Sequence, residues 1–125
     1  MKDTQFSWKK RARSFRYAFA GIARLLRYEH NAWIHCAVTF VVLIAGFVLH
    51  ISAMEWVAVA LCIGGVLAAE AFNSAVEALA DRVSPGYDEA VKHTKDLAAG
   101  AVLLMAMAAV AVGLIIFVPK IIECG

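Results

Sequence analysis

Three apolar runs, at about 32–50, 56–80 and 97–118, dictate what this chain can fold into, because each is about as long as the ~20 residues that cross a bilayer as a helix. With 62% hydrophobic residues in 125 and a mean hydropathy of +0.73, the chain carries more apolar surface than a water-soluble core of this size can hide. Backbone polar groups in lipid must find partners internally, so helices are the expected form. A β-barrel would alternate apolar and polar residues in segments of about ten, and these runs do not alternate. The expectation is one all-α membrane domain over residues 1–125.

Charge sets the expected topology. Of the 12 Lys and Arg residues, 8 precede the first run: Lys2, Lys9, Lys10, Arg11, Arg13, Arg16, Arg24 and Arg27. The positive-inside rule keeps that segment in the cytosol. The short turn from His50 to Glu55, with no Lys or Arg, then falls outside, and the loop from Arg82 to Asp96, with Arg82, Lys92 and Lys95, falls inside. From about residue 5 to residue 28, Trp8, Ala12, Phe15, Phe19, Ile22 and Leu26 recur every three or four positions among the basic residues. That periodicity predicts an amphipathic helix lying in the membrane interface. No cleavable leader is expected there, since charge runs through the whole segment. Cys36, Cys62 and Cys124 are widely spaced and suggest no metal pair. Trp33 and Trp56 suit the interfacial aromatic belts.

The second run breaks its own rule. Glu70, Asn73, Glu77 and Asp81, with Ser74, fall within an arc of about 100° on a helix, while Phe72, Ala75, Val76 and Leu79 point elsewhere. An ionisable group near the bilayer core costs on the order of 2.5 kcal/mol or more, so a stripe of acids marks a function unless partners neutralise it. Gly64, Gly65, Ala68, Ala69 and Ala71 beside the stripe let neighbouring helices approach closely. Ser84, Pro85 and Gly86 end the helix, and Asp88 suits an N-cap for the next, whose first turns bring Lys92, His93, Lys95 and Asp96 to the level of Glu77 or Asp81.

Three chemistries use such a stripe: ion conduction, a hydrogen-bonded structural interface, and metal-assisted phosphoryl transfer. Conduction prefers ionisable groups spread through the membrane depth, whereas this stripe spans about 16 Å toward one side. A structural interface does not need three mutually repelling acids. Mg²⁺ is commonly held by one or two carboxylates plus substrate phosphates, and Glu29 and Glu77 with Lys95 opposite could supply such a set. Glu70 lies deeper, where a lipid hydroxyl rather than water would be the nucleophile and a carboxylate the general base. Neither a Walker pattern nor a protein-kinase Gly-rich loop occurs in the sequence.

The run Glu70-Ala-Phe-Asn73-Ser-Ala-Val-Glu77-Ala-Leu-Ala-Asp81-Arg82, followed by His93-Thr-Lys95-Asp96-Leu-Ala-Ala-Gly, resembles the signature of the small prokaryotic diacylglycerol kinase and undecaprenol kinase family. The resemblance implies a homotrimer of three-span chains in the bacterial inner membrane, with inter-subunit, cytosol-facing sites for ATP, Mg²⁺ and a membrane lipid alcohol. No nucleic acid partner is implied. Carried over by position, Glu70 is the catalytic base, with Asn73 and Lys95 beside the reacting centre, and Glu29 and Glu77 are metal ligands. Nucleotide contacts fall on Lys10, Tyr17, Glu29, Glu77, Asp81, Gly86, Asp88, Lys95 and Asp96, and lipid contacts on Glu70, His35 and Ala99. The family often has an arginine near the start of the surface helix. Here Lys9-Lys10-Arg11 keeps the charge, and Lys10 in that place lacks the bidentate guanidinium. Glu29-His-Asn-Ala-Trp-Ile-His35, Glu55-Trp56, Ile63-Gly-Gly and Gly113-Leu-Ile-Ile-Phe-Val-Pro-Lys-Ile are closer to the undecaprenol kinase branch than to the diacylglycerol kinase branch.

Overall fold

The structure, a computed structural model, describes residues 6–124 and contains four helices: α1 (Trp8–Tyr28), α2 (His30–Val48), α3 (Ala53–Val83) and α4 (Glu89–Cys124). The described residues contain no strand. Residue 5, where the surface helix is expected to begin, lies outside them. α2, α3 and α4 are each long and apolar enough to cross a membrane. α3 and α4 pack most extensively; α2 lies against α3, and α1 touches both α2 and α3.

α1 begins at Ser7, whose hydroxyl accepts a hydrogen bond from the Lys10 backbone N–H at 3.4 Å. It leaves most of its surface exposed, with Leu25 buried. The corner into α2 is tied by side chains: the Trp33 indole N–H donates to the Leu26 carbonyl at 2.5 Å, and His30 stacks on the Trp33 ring. Glu29 is the hinge residue, in extended conformation between the two helices.

The α2–α3 turn is compact. The Ile51 N–H reaches back to the Gly46 carbonyl and the His50 N–H to the Phe47 carbonyl, and His50 takes the left-handed conformation (φ 52°) that closes such a Schellman turn. Ser52 and Glu55 then form a reciprocal capping box that starts α3 ahead of the apolar run. A small apolar cluster of Ile51, Val59 and Ile116 lies beneath, with Trp56 packed against it. Trp56 therefore does more than sit in an aromatic belt: its ring lies over Gly46, where a Cβ would come within 2.6 Å of it.

At the other end, α3 stops at Val83 before the Ser84-Pro85-Gly86 turn, and the Asp88 carboxylate caps α4 by accepting from the Val91 N–H at 3.1 Å. α4 also runs through Pro119 to Cys124, beyond the apolar run that ends at Val118. Pro119 withholds a hydrogen bond from the Ile115 carbonyl, a loss that membrane-spanning helices tolerate.

Candidate active site

The polar stripe of α3 lies on the end of the molecule shared with α1 and the α3–α4 turn. Its deepest acid, Glu70, is 2% exposed and is the buried charged residue among those described. α2 runs alongside and brings His35 to it, with His35 Nε2 3.2 Å from Glu70 Oε1. The Thr39 hydroxyl donates to the His35 backbone carbonyl at 2.7 Å, one turn along α2. Asn73, about one turn from Glu70, has a buried Oδ1 with no hydrogen-bond partner. An acceptor kept dry and unpaired is costly unless something else comes to meet it.

Further along the stripe, Asp81 and Lys95 meet across the α3–α4 pair, with Lys95 Nζ 2.5 Å from Asp81 Oδ1. Lys95 stands two residues before the last apolar run. The hydrogen bond to Asp81 holds its pKa above the ordinary lysine value, and the Glu77 charge adds to the effect. Lys95 and its neighbour Asp96 do not act together: Asp96 pairs instead with Lys92, one turn earlier on the same helix, at 2.6 Å. Levelness of Lys95 with Asp81 follows from counting residues through the turn; the divergence of the two neighbours does not.

The remaining residues singled out by the sequence are spread over α1, the α1–α2 hinge, α3, the α3–α4 turn and α4. Tyr17 is exposed on α1, and Lys10 lies in its first turn. Gly86 sits in the α3–α4 turn with its carbonyl accepting from the Ser84 hydroxyl, Asp88 is engaged as a cap, and Ala99 is exposed on α4. Glu29 is half-buried at the α1–α2 hinge and Glu77 is exposed on α3. Among the described residues no three His, Cys, Asp or Glu side chains converge as a metal cage. Two carboxylates nonetheless match the donor chemistry of Mg²⁺, which takes most of its remaining ligands from water and phosphate.

A feature absent from the sequence reading is an apolar groove of about 440 Å³ bounded by α2, α3 and α4. It begins beside His35 and Thr39 and runs past Val42, Val59 and Val110 to Phe117. Its polar lining there is Thr39 and His35, the partner of Glu70. No residue motif announces such a groove, which arises from how three uniformly apolar helices splay.

The family model of prokaryotic diacylglycerol kinase matches residues 16–117, which include all four helices in whole or part. The chain belongs to this family. It is 37% identical over 120 residues to an undecaprenol kinase of Bacillus subtilis (strain 168), a match covering 96% of this chain and 98% of that protein. It is also 39% identical over 111 residues to a diacylglycerol kinase of Synechocystis, covering 88% of this chain and 63% of that one. A Sinorhizobium diacylglycerol kinase is 33% identical over 97 residues, covering 74% of this chain and 66% of that protein. As a member of the prokaryotic diacylglycerol kinase family, the chain is a membrane lipid kinase.

Proposed function

We propose that this single-domain protein uses ATP and Mg²⁺ to phosphorylate the hydroxyl of a long-chain lipid alcohol, undecaprenol in preference to diacylglycerol, at the cytosolic face of a bacterial inner membrane. The observation that carries the reading is Glu70, a carboxylate 2% exposed whose partner His35 lines an apolar groove. A base kept out of water beside a slot for hydrocarbon suits a lipid hydroxyl as nucleophile. The near end-to-end match with the Bacillus subtilis undecaprenol kinase supports the lipid preference. The basic N-terminal segment supports the orientation.

In this mechanism Glu70 accepts the proton from the lipid hydroxyl while its oxygen attacks the γ-phosphorus. Lys95 leaves Asp81 to steady the transferring phosphoryl group, and Asn73 lines the reacting centre. Glu29 and Glu77 would hold Mg²⁺, which supplies neutralisation of charge on the β- and γ-phosphate oxygens. Lys10 and Tyr17 from α1, Asp81 from α3, Gly86 and Asp88 from the α3–α4 turn and Asp96 from α4 bind the nucleotide. His35 and Ala99 face the lipid. One chain leaves this ring of residues open, and the large exposed apolar faces of α2 and α4 suit burial in a homotrimer whose sites are completed between subunits.

The test is competition. Purified protein in lipid receives undecaprenol and diacylglycerol together with γ-labelled ATP, with and without a Mg²⁺ chelator. The expected result is chelator-sensitive label mainly in undecaprenyl phosphate. Preferential labelling of diacylglycerol would overturn the substrate choice. Absence of any labelled lipid, with ion flux across the same vesicles, would favour a small conducting or scaffold protein instead.

A further inference from the structure

The mechanism above requires Glu70 to present one oxygen to the lipid hydroxyl, yet its carboxylate ends a side chain with three rotatable torsions. In a dry setting a carboxylate also needs a hydrogen-bond donor. Candidate donors from the packed elements are few. On α3 itself, Glu77 and Asp81 are acids, and neither the Asn73 amide N–H2 nor the Ser74 hydroxyl is hydrogen-bonded to Glu70. From α4, Lys95 is engaged by Asp81 and Lys92 by Asp96. From α2, His35 Nε2 lies 3.2 Å from Oε1, with the two side chains 23% and 3% exposed.

We infer that His35 is a positioning residue for Glu70: its Nε2–H donates to Oε1, fixes the carboxylate rotamer, and leaves Oε2 to take the proton from the lipid hydroxyl. The tautomer follows from the partner, since an ionised carboxylate only accepts hydrogen bonds. The step balances. The hydroxyl O–H breaks as its oxygen bonds to the γ-phosphorus, the bond from that phosphorus to the β–γ bridging oxygen breaks, ADP departs, and the proton rests on Oε2. His35 keeps its own proton throughout.

The inference rests on Glu70 as the base and goes further in moving His35 from lipid contact to control of the base. The backbone of His35 is itself anchored by the Thr39 hydroxyl, so the ring enters from a helix segment whose register is tied locally. His35 also lines the groove where it starts, so a chain lying in the groove has its head beside the residue that holds Glu70.

Steady-state kinetics of His35→Leu and His35→Gln, alone and in a Glu70→Gln background, tests this. Leu fills the space without a donor; the Gln amide N–H2 reaches the place of Nε2. Expected for His35→Leu is a fall in kcat of about ten- to a hundredfold, the range seen when an outer partner that orients a reacting group is removed. KM for ATP and for lipid should stay within about twofold, since a loss confined to the transition state leaves ground-state binding alone. His35→Gln should recover most of kcat, and His35→Leu should add nothing once Glu70 is Gln. If His35→Leu fails to insert or fold, His35→Asn takes its place, because the shorter amide keeps polarity but falls short of Oε1. A raised lipid KM at unchanged kcat, or Gln no better than Leu, overturns the inference. A wild-type protein that transfers no phosphate to any lipid removes the kinase reading and this inference with it, whereas wild-type transfer with unchanged kcat in His35→Leu removes the inference alone.

Discussion

The two ends of the α3–α4 pair are each tied by one lysine and one acid, and they serve different purposes. At the end near the α2–α3 turn, Lys120 meets Glu55 at 3.2 Å; at the other, Lys95 meets Asp81 at 2.5 Å. Glu55 has a second employment in the capping box, and the Ser52 backbone N–H, with Lys120 helping, holds its pKa below the ordinary carboxylate value. Beneath it lies the apolar cluster of Ile51, Val59 and Ile116. Asp81 and Lys95 have no such support. Their end carries a buried acid, an unpaired buried amide oxygen and exposed acids instead of a core. The same type of ion pair closes a structure at one end and, in the proposed mechanism, opens to a ligand at the other.

Breaking each pair from the lysine side is the largest test of that contrast. Lys95→Met should lower phosphoryl transfer by about a hundredfold or more, in line with removal of a preorganised group from a developing charge, while thermal unfolding in detergent moves little. Lys120→Met should leave turnover unchanged. Equal loss of activity in the two variants would erase the distinction between the ends.

Smaller effects separate rigid from yielding packing. A Cβ on Gly46 would lie 2.6 Å from the Trp56 ring, whereas one on Gly65 would meet the flexible end of Met105 at 2.7 Å. Gly46→Ala should therefore cost about 1–3 kcal/mol of overpacking strain, and Gly65→Ala less than that, because the thioether can turn aside. Scanning calorimetry in one detergent reads both. A larger penalty at Gly65 would show that the second span, not the α2–α3 corner, is the rigid part.

Much of this architecture was legible in the residues. The apolar runs announce the three spans, and the acids at Glu70, Glu77 and Asp81 with Asn73 announce the stripe because they repeat every three or four positions inside hydrocarbon. Ser84-Pro85-Gly86 and Asp88 mark where α3 stops and α4 starts, so the approach of Lys95 to Asp81 could be counted out. The helix ends were harder. Ser52 and Glu55 start α3 before the apolar run begins, and α4 passes through Pro119 although proline cannot donate to the Ile115 carbonyl. The resemblance puts His35 and Glu70 at the same lipid, but their direct contact was not legible. It joins residues 35 positions apart and depends on how α2 rotates against α3, which periodicity in either helix leaves open.

Transfer of γ-labelled phosphate from ATP to lipid by the wild-type protein and Glu70→Gln, side by side in the same bilayers, is the most direct measurement. Replacing this buried carboxylate by its neutral isostere should lower turnover about 10²–10⁴-fold, the usual worth of a positioned general base, in a protein that still inserts and folds. Wild-type turnover from folded Glu70→Gln would contradict the account, since the acid at the centre of the stripe would then have no part in the chemistry.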